Sequence, residues 1–160
     1  MVLLLKNLLF TVVAPGTVAV LIPWIVVGHR SSPSGISRAI AVVLFGLGSA
    51  IYAWCVWDFA SFGRGTPAPI DAPKKLVVRG LYRFTRNPMY LGVLTIILAW
   101  AVLFRAANLA GYAAIVAVCF HMFILVYEEP HLQGEFGTEY SAYKSQVGRW
   151  LPRPSRRPAA

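Results

Sequence analysis

The chain has 160 residues, of which 58% are hydrophobic and only 13% charged, too apolar a balance for a soluble domain, where charged residues approach about a quarter. Its net charge of +9 asks for no nucleic acid, because basic loops against anionic headgroups account for it. The expected class is an all-α, polytopic membrane protein.

Four apolar blocks follow one another: Val2–Val27, Ile36–Phe62, Tyr90–Phe104 and Ala106–Tyr127. A spanning helix needs roughly 20 mainly apolar residues, so the first, second and fourth are long enough. The third rises only about 22 Å and must borrow from its flanks. The first block is too long for a secretory h-region and no small-x-small site closes it, so a retained helix is expected. Pro15 and Pro23 predict kinks in it, tolerated where neighbours satisfy the freed carbonyls. In the second block, Gly46, Gly48 and Ala50 form a small-residue face for helix packing, and Trp54 and Trp57 are interfacial anchors, as is Trp150. Cys55 and Cys119 lie in the second and fourth blocks and read as buried thiols, neither disulfide nor metal ligands.

The basic residues set the orientation. Arg64, Lys74, Lys75, Arg79, Arg83 and Arg86 crowd the loop after the second block, and Lys144, Arg149, Arg153, Arg156 and Arg157 crowd the tail. Only Arg30 and Arg38 mark the first loop, and Arg105 the tip between the third and fourth blocks. The positive-inside rule therefore puts the second loop, the tail and both termini in the cytoplasm. The expected architecture is about four transmembrane helices plus a cytoplasmic amphipathic C-terminal helix. Residues 1–62 hold two N-terminal helices, 75–152 a cofactor-binding core and 153–160 a flexible tail.

Chemistry concentrates at the cytoplasmic ends of the third and fourth helices. Asn87-Pro88 is a helix start, with Asn able to cap and Pro suited to the first helical position. Its free amides, with Arg83 and Arg86 just upstream, form an anion site. Glu128 and Glu129 return to the same surface at the end of the fourth helix, where the dipole prefers cations and the carboxylates want a cationic partner. Pro130 there starts a new helix. A site with a cation-facing side and an anion-facing side suits a zwitterion bearing an extra positive charge, such as S-adenosylmethionine. An arginine–glutamate network closing the hairpin looks the same from sequence. Glu128 and His131 make a lone E-x-x-H with no carboxylates from other helices to complete a metal site, so no metal is expected. His121, two turns before Glu128, reads as a packing histidine.

The spacing G-x-Y-x-x-x-R-N-P-x-Y-x-G, carried by Gly80, Tyr82, Arg86, Asn87, Pro88, Tyr90 and Gly92, resembles the integral-membrane methyltransferases related to isoprenylcysteine carboxyl methyltransferase and phosphatidylethanolamine N-methyltransferase. A second motif agrees, carried by Glu128, Glu129, Leu132, Phe136, Gly137, Glu139, Tyr140, Tyr143 and Lys144. The resemblance covers Lys75 to about Pro152. It implies an S-adenosylmethionine site at the cytoplasmic end of the hairpin, covered by the following helix. Tyr82, Asn87, Pro88, Tyr90, Leu91, Gly92, Glu128 and Glu129 would border the cofactor. Arg86 and Glu129 would be catalytic, and Tyr140, Tyr143 and Arg149 would face the acceptor. Prenylcysteine enzymes usually have His where Asn87 stands and Arg where Gln146 stands, with Arg149 three residues on as a substitute; N-P-M-Y resembles the phospholipid amine enzymes instead. No G-x-G-x-x-G follows a strand, so the soluble nucleotide-binding fold is not expected.

The implied activity is methyl transfer to a membrane-embedded or lipophilic acceptor: a phospholipid amine, a prenylcysteine carboxylate or a small thiol. Membrane lipids are the expected partners. Such a transfer is an in-line displacement that needs no metal, only alignment at about 3–3.5 Å and exclusion of water. A carboxylate attacks as it stands, whereas an ammonium must first lose a proton. The competing class is a non-catalytic four-helix scaffold or transporter subunit in which both motifs staple the hairpin to the headgroups.

Overall fold

The computed structural model describes residues 13–28, 35–63 and 75–152. Residues 2–12 of the first block, Arg30, Arg64, Lys74 and the tail 153–160 lie outside the described residues. Among those described, regular structure is all helical, with a single backbone bridge between Thr85 and Gly148.

Helix α1 spans Val13–Val27 and contains a π-turn over Thr17–Leu21, just ahead of Pro23. There the Ile22 N–H reaches five residues back to the Thr17 carbonyl. Pro23, next in line, has no N–H to give. The Val18 carbonyl, five residues before it, instead accepts from the Tyr112 hydroxyl at 2.9 Å. A carbonyl orphaned in an apolar environment is costly, and a neighbouring helix satisfies it here.

Helix α2 (Ile36–Asp58) runs on into a π-turn over Phe59–Gly63. Helix α3 (Pro88–Phe104) starts two residues before its apolar block, so it does borrow from its flank. Gly48 of α2 and Gly92 of α3 meet where these helices cross. A Cβ on Gly48 would come within 2.8 Å of the Gly92 carbonyl oxygen and 2.7 Å of Ile96 Cγ1. The small-residue face expected on α2 reduces to Gly48 alone, because Gly46 and Ala50 point outward on the opposite side.

A tight turn at Arg105, whose backbone is left-handed (φ 48°), returns the chain into α4 (Ala107–Phe123). Arg105 Nε donates to Ser37 Oγ at 3.0 Å, which ties the hairpin tip to the start of α2. Helix α4 does not stop at the two glutamates. It continues through a π-turn, Ile124–Glu128, into α5, Glu129–Gln146. The expectation that Glu128 and Glu129 end a helix is corrected by this continuity. The wider turn just before Pro130 lets the chain carry a residue with no N–H without breaking. Helix α5 kinks at Gly137, φ 49° and ψ −116°, a conformation a side chain would resist. Its carbonyl accepts from Gln133 Nε2 at 2.8 Å and Ser141 Oγ at 3.2 Å.

The outward faces of the long helices are apolar: Val42, Val43 and Leu47 on α2 and Ile115 and Val118 on α4 are each more than half exposed. Cys119 lies on that outer surface, whereas Cys55 is buried; the expectation of two buried thiols holds for one. Such faces suit lipid as solvent. α2 with its π-turn, and the continuous helix from Ala107 to Gln146, are long and apolar enough to cross a membrane, while α1 and α3 are shorter apolar helices.

The glycine contact gives a direct test. Gly48→Leu forces a side chain into the α2–α3 crossing and should cost about 1–3 kcal/mol. Gly46→Leu, with no atom within 4 Å of the added Cβ, should leave the unfolding temperature in detergent near that of the parent.

Candidate functional site

The site is assembled from the loop before α3, the end of α4, helix α5 and the short segment after it. The loop enters through a 3-10 turn, Gly80–Arg83. Gly80 has φ +54°, and a Cβ there would fall on the Asp58 carboxylate and the Trp54 indole; only glycine lets the turn lie on the end of α2. Arg79 Nε sits 3.4 Å from Asp58 Oδ1 and its guanidinium lies over the Phe62 ring. This anchorage turns Tyr82 inward. Its ring meets Phe59 edge-on, and its carbonyl accepts from Tyr143 Oη of α5 at 2.7 Å.

Residues Thr85–Asn87 then run beside the segment that follows α5. Arg86 N–H donates to the Gly148 carbonyl at 2.9 Å. Thr85 Oγ1 and Asn87 Nδ2 both donate to the Arg149 carbonyl at 3.0 Å. Asn87 makes no side-chain cap on α3, contrary to expectation; its Nδ2 bond orients the side chain towards the segment after α5.

Glu129 is the centre of charge. Its carboxylate takes Arg86 Nη1 at 3.0 Å, Arg149 Nε at 2.7 Å, Arg149 Nη2 at 3.1 Å and Lys144 Nζ at 3.3 Å. Arg86 also donates to Tyr140 Oη at 3.1 Å. The Arg86 and Glu129 side chains are 6% and 8% exposed. Burial opposes ionisation of Glu129, but the Arg149 hydrogen bonds and the Arg86 and Arg149 charges outweigh it and lower its pKa to about 2. Glu128, one residue earlier, is in the opposite situation. It accepts from Tyr90 Oη at 3.0 Å, and burial, opposed by that bond and reinforced by the neighbouring Glu129 charge, raises its pKa. Adjacent carboxylates therefore differ in charge preference.

A cavity of about 130 Å³ opens beside Glu128. Tyr82, Arg86, Asn87, Tyr90 and Glu128 form its polar end, and Val18, Phe59, Met89, Val93 and Phe120 its apolar walls. A second, about 20 Å³, lies behind it towards α5. Glu129, Tyr140 and Tyr143 line that one, and Arg86, Asn87 and Glu128 border both. Arg86 Nε has no hydrogen-bond partner among the described residues.

Most of the residues expected from sequence thus converge. The exceptions have physical reasons. Gly92 faces Gly48, Ile51 and Tyr52 of α2, so its smallness serves helix packing. Pro88 and Leu91 line neither cavity. Arg149 acts through Glu129 and its own backbone carbonyl. Sequence reasoning missed Gly148, whose backbone pairing leaves no side-chain signature, and Thr85, whose hydroxyl donates to a carbonyl 64 residues further on. It also missed the apolar walls: Met89 and Val93 lie one turn apart on α3, beside Tyr90, and could have been found by spacing, whereas Val18 and Phe59 come from distant helices. Trp150, expected as an interfacial anchor, turns inward and donates from Nε1 to His121 Nδ1 at 3.0 Å.

Because the pKa of Glu129 is lowered from its ordinary 4.5 to about 2, its pairing contributes stability above the ordinary value, and that contribution disappears as pH falls through the folded value. Glu129→Gln should cost about 3 kcal/mol at pH 7, the usual loss on breaking a buried pair. The gap in unfolding temperature between parent and variant should be constant from pH 8 to 5, and shrink as the pH approaches 2.

The phospholipid methyltransferase family matches residues 36–139, which takes in α2, the motif loop, both glutamates and most of α5. An uncharacterized protein of Haemophilus influenzae is 41% identical over 64 residues, 39% of this chain and 100% of that relative. No solved structure matches the chain. With most of the chain covered and both motifs folded into one site, the protein belongs to the phospholipid methyltransferase family, a family of membrane methyltransferases.

Proposed function

We propose that this protein transfers a methyl group from S-adenosylmethionine to a lipophilic acceptor at the cytoplasmic surface of a membrane. One observation carries the reading: the two cavities share a wall lined by the buried Arg86 guanidinium and by the Glu128 carboxyl, which accepts from Tyr90. That wall suits a zwitterion. The Arg86 guanidinium would hold a carboxylate, and Glu128 would take up positive charge, which favours its ionised form. When bound, S-adenosylmethionine supplies an electrophilic methyl on a sulfonium. Glu129 is shared among Arg86, Arg149 and Lys144, so its part is to hold Arg86 in place and not to touch the ligand.

The acceptor's class follows from the larger cavity. Val18, Met89, Val93 and Phe120 give it walls that favour an apolar body, and these walls exclude water from the transfer. A phospholipid amine, a prenylcysteine carboxylate or a small thiol meets this requirement, with Asn87 inclining the choice towards the amine. Tyr140 and Tyr143, bonded to Arg86 and to the Tyr82 carbonyl, shape the cofactor side of the wall. In the bilayer, α1 to α4 are four spans. The basic loop, α5 and both termini are cytoplasmic, and the Arg105 turn lies on the far side.

The test is calorimetric titration of the purified protein with S-adenosylhomocysteine, the expected product. The parent should bind saturably and more tightly as pH rises through the raised pKa of Glu128. Glu128→Gln keeps the Tyr90 hydrogen bond but removes the charge, and should weaken binding at least about tenfold with little loss of stability. No binding by folded parent protein, repeated in nanodiscs, would mean that the two motifs staple a scaffold.

A further inference from the structure

The strap after α5 has one anchor that the family motifs do not explain. Val147 leaves the helix with extended backbone, φ −113° and ψ 130°, and the chain pairs with Thr85–Asn87 through Gly148 and Arg149. Leu151 beyond it is 77% exposed. These hydrogen bonds and the Arg149 side chain on Glu129 hold the strap as far as Arg149, and the residues that follow need an anchor of their own. Trp150 closes the far end. Its indole N–H donates to His121 Nδ1 at 3.0 Å, and the two rings stack with centroids 6.1 Å apart.

His121 lies within the apolar length of α4, where an ionisable side chain needs a partner. A phenylalanine would stack on the indole equally well. What histidine adds is the acceptor nitrogen, its proton being on Nε2. Two turns further on, the same helix carries Glu128, so the bond fixes the strap to the element that holds the carboxyl end of the site.

We infer that His121 is a positioning residue for this site: by accepting the Trp150 indole N–H it holds the 147–150 strap against Thr85–Asn87, and so fixes Arg86 and Asn87 on the cavity wall. The inference deepens the methyltransferase reading and rests on it for the identity of the ligand. Losing the acceptor leaves the indole N–H without a partner in an apolar setting. The strap then loosens, and Arg86 is held by its side-chain contacts alone.

Four variants test this: His121→Phe, which keeps the ring and removes the acceptor; Trp150→Phe, which keeps the ring and removes the donor; both together; and His121→Asn, whose side-chain oxygen can occupy the place of Nδ1. Hydrogen exchange on the ligand-free protein is read over peptides containing 84–87 and 147–150, and S-adenosylhomocysteine affinity by calorimetry. Each Phe variant should speed exchange in both peptides and weaken binding about three- to tenfold. The double variant should be no worse than either single one, and His121→Asn should recover most of the affinity. A histidine that merely packs predicts another pattern: lower unfolding temperature, unchanged exchange at 84–87, additive losses and no recovery with Asn. That pattern overturns the inference. A parent that fails to bind S-adenosylhomocysteine sinks the cofactor reading, and is told apart because faster exchange at 84–87 in the Phe variants would still show His121 positioning the motif loop.

Discussion

A single buried carboxylate organises the site of this protein. Glu129 is removed from water beside apolar helices, where an unpaired charge would be strongly disfavoured. It is tolerated because two arginines and a lysine reach it from the loop before α3, from α5 and from the strap. The three cations would repel one another without it, and burial would oppose its ionisation without them. The same pairing that stabilises the anion therefore draws three separate parts of the chain to one point. The polar wall shared by the two cavities is built on that convergence.

Placing a second carboxyl next to the first divides the labour. Glu129 uses up its capacity in ion pairs, while Glu128 points from the adjacent helical position towards Tyr90 and the larger cavity. Its charge is disfavoured by burial and by its neighbour. An arriving positive charge would favour the ionised form of a group in that setting. The arrangement holds Arg86 rigid through one glutamate and leaves the other responsive.

The membrane setting explains the backbone devices. Two π-turns precede prolines, Thr17–Leu21 before Pro23 and Ile124–Glu128 before Pro130. In each, the wider turn absorbs a residue that cannot donate, with no break in the helix, and in α1 the spare carbonyl goes to Tyr112. Lipid offers no water to satisfy a broken helix, so irregular backbone is confined to places where neighbouring groups compensate. Both turns lie beside the site: Val18 lines the cavity from the first, and Glu128 ends the second.

The sequence by itself determined the solvent, the helices and the two motifs. Apolar blocks of this length favour lipid as solvent, and Arg86-Asn87-Pro88 and Glu128-Glu129 are legible because charge next to a span is expensive and so is seldom accidental. It did not decide what each charge does. Whether a glutamate meets three cations or one tyrosine depends on which helix face turns inward, and that is set by the π-turn ahead of Pro130, which local propensity does not reveal. Gly92 has the same ambiguity, since a small residue serves a ligand or a crossing helix equally well until Gly48 is found opposite it. Only the tertiary structure brought Thr85 against Gly148 and Trp150 against His121, because backbone pairing and a single indole hydrogen bond between distant segments leave no periodicity in a sequence to read.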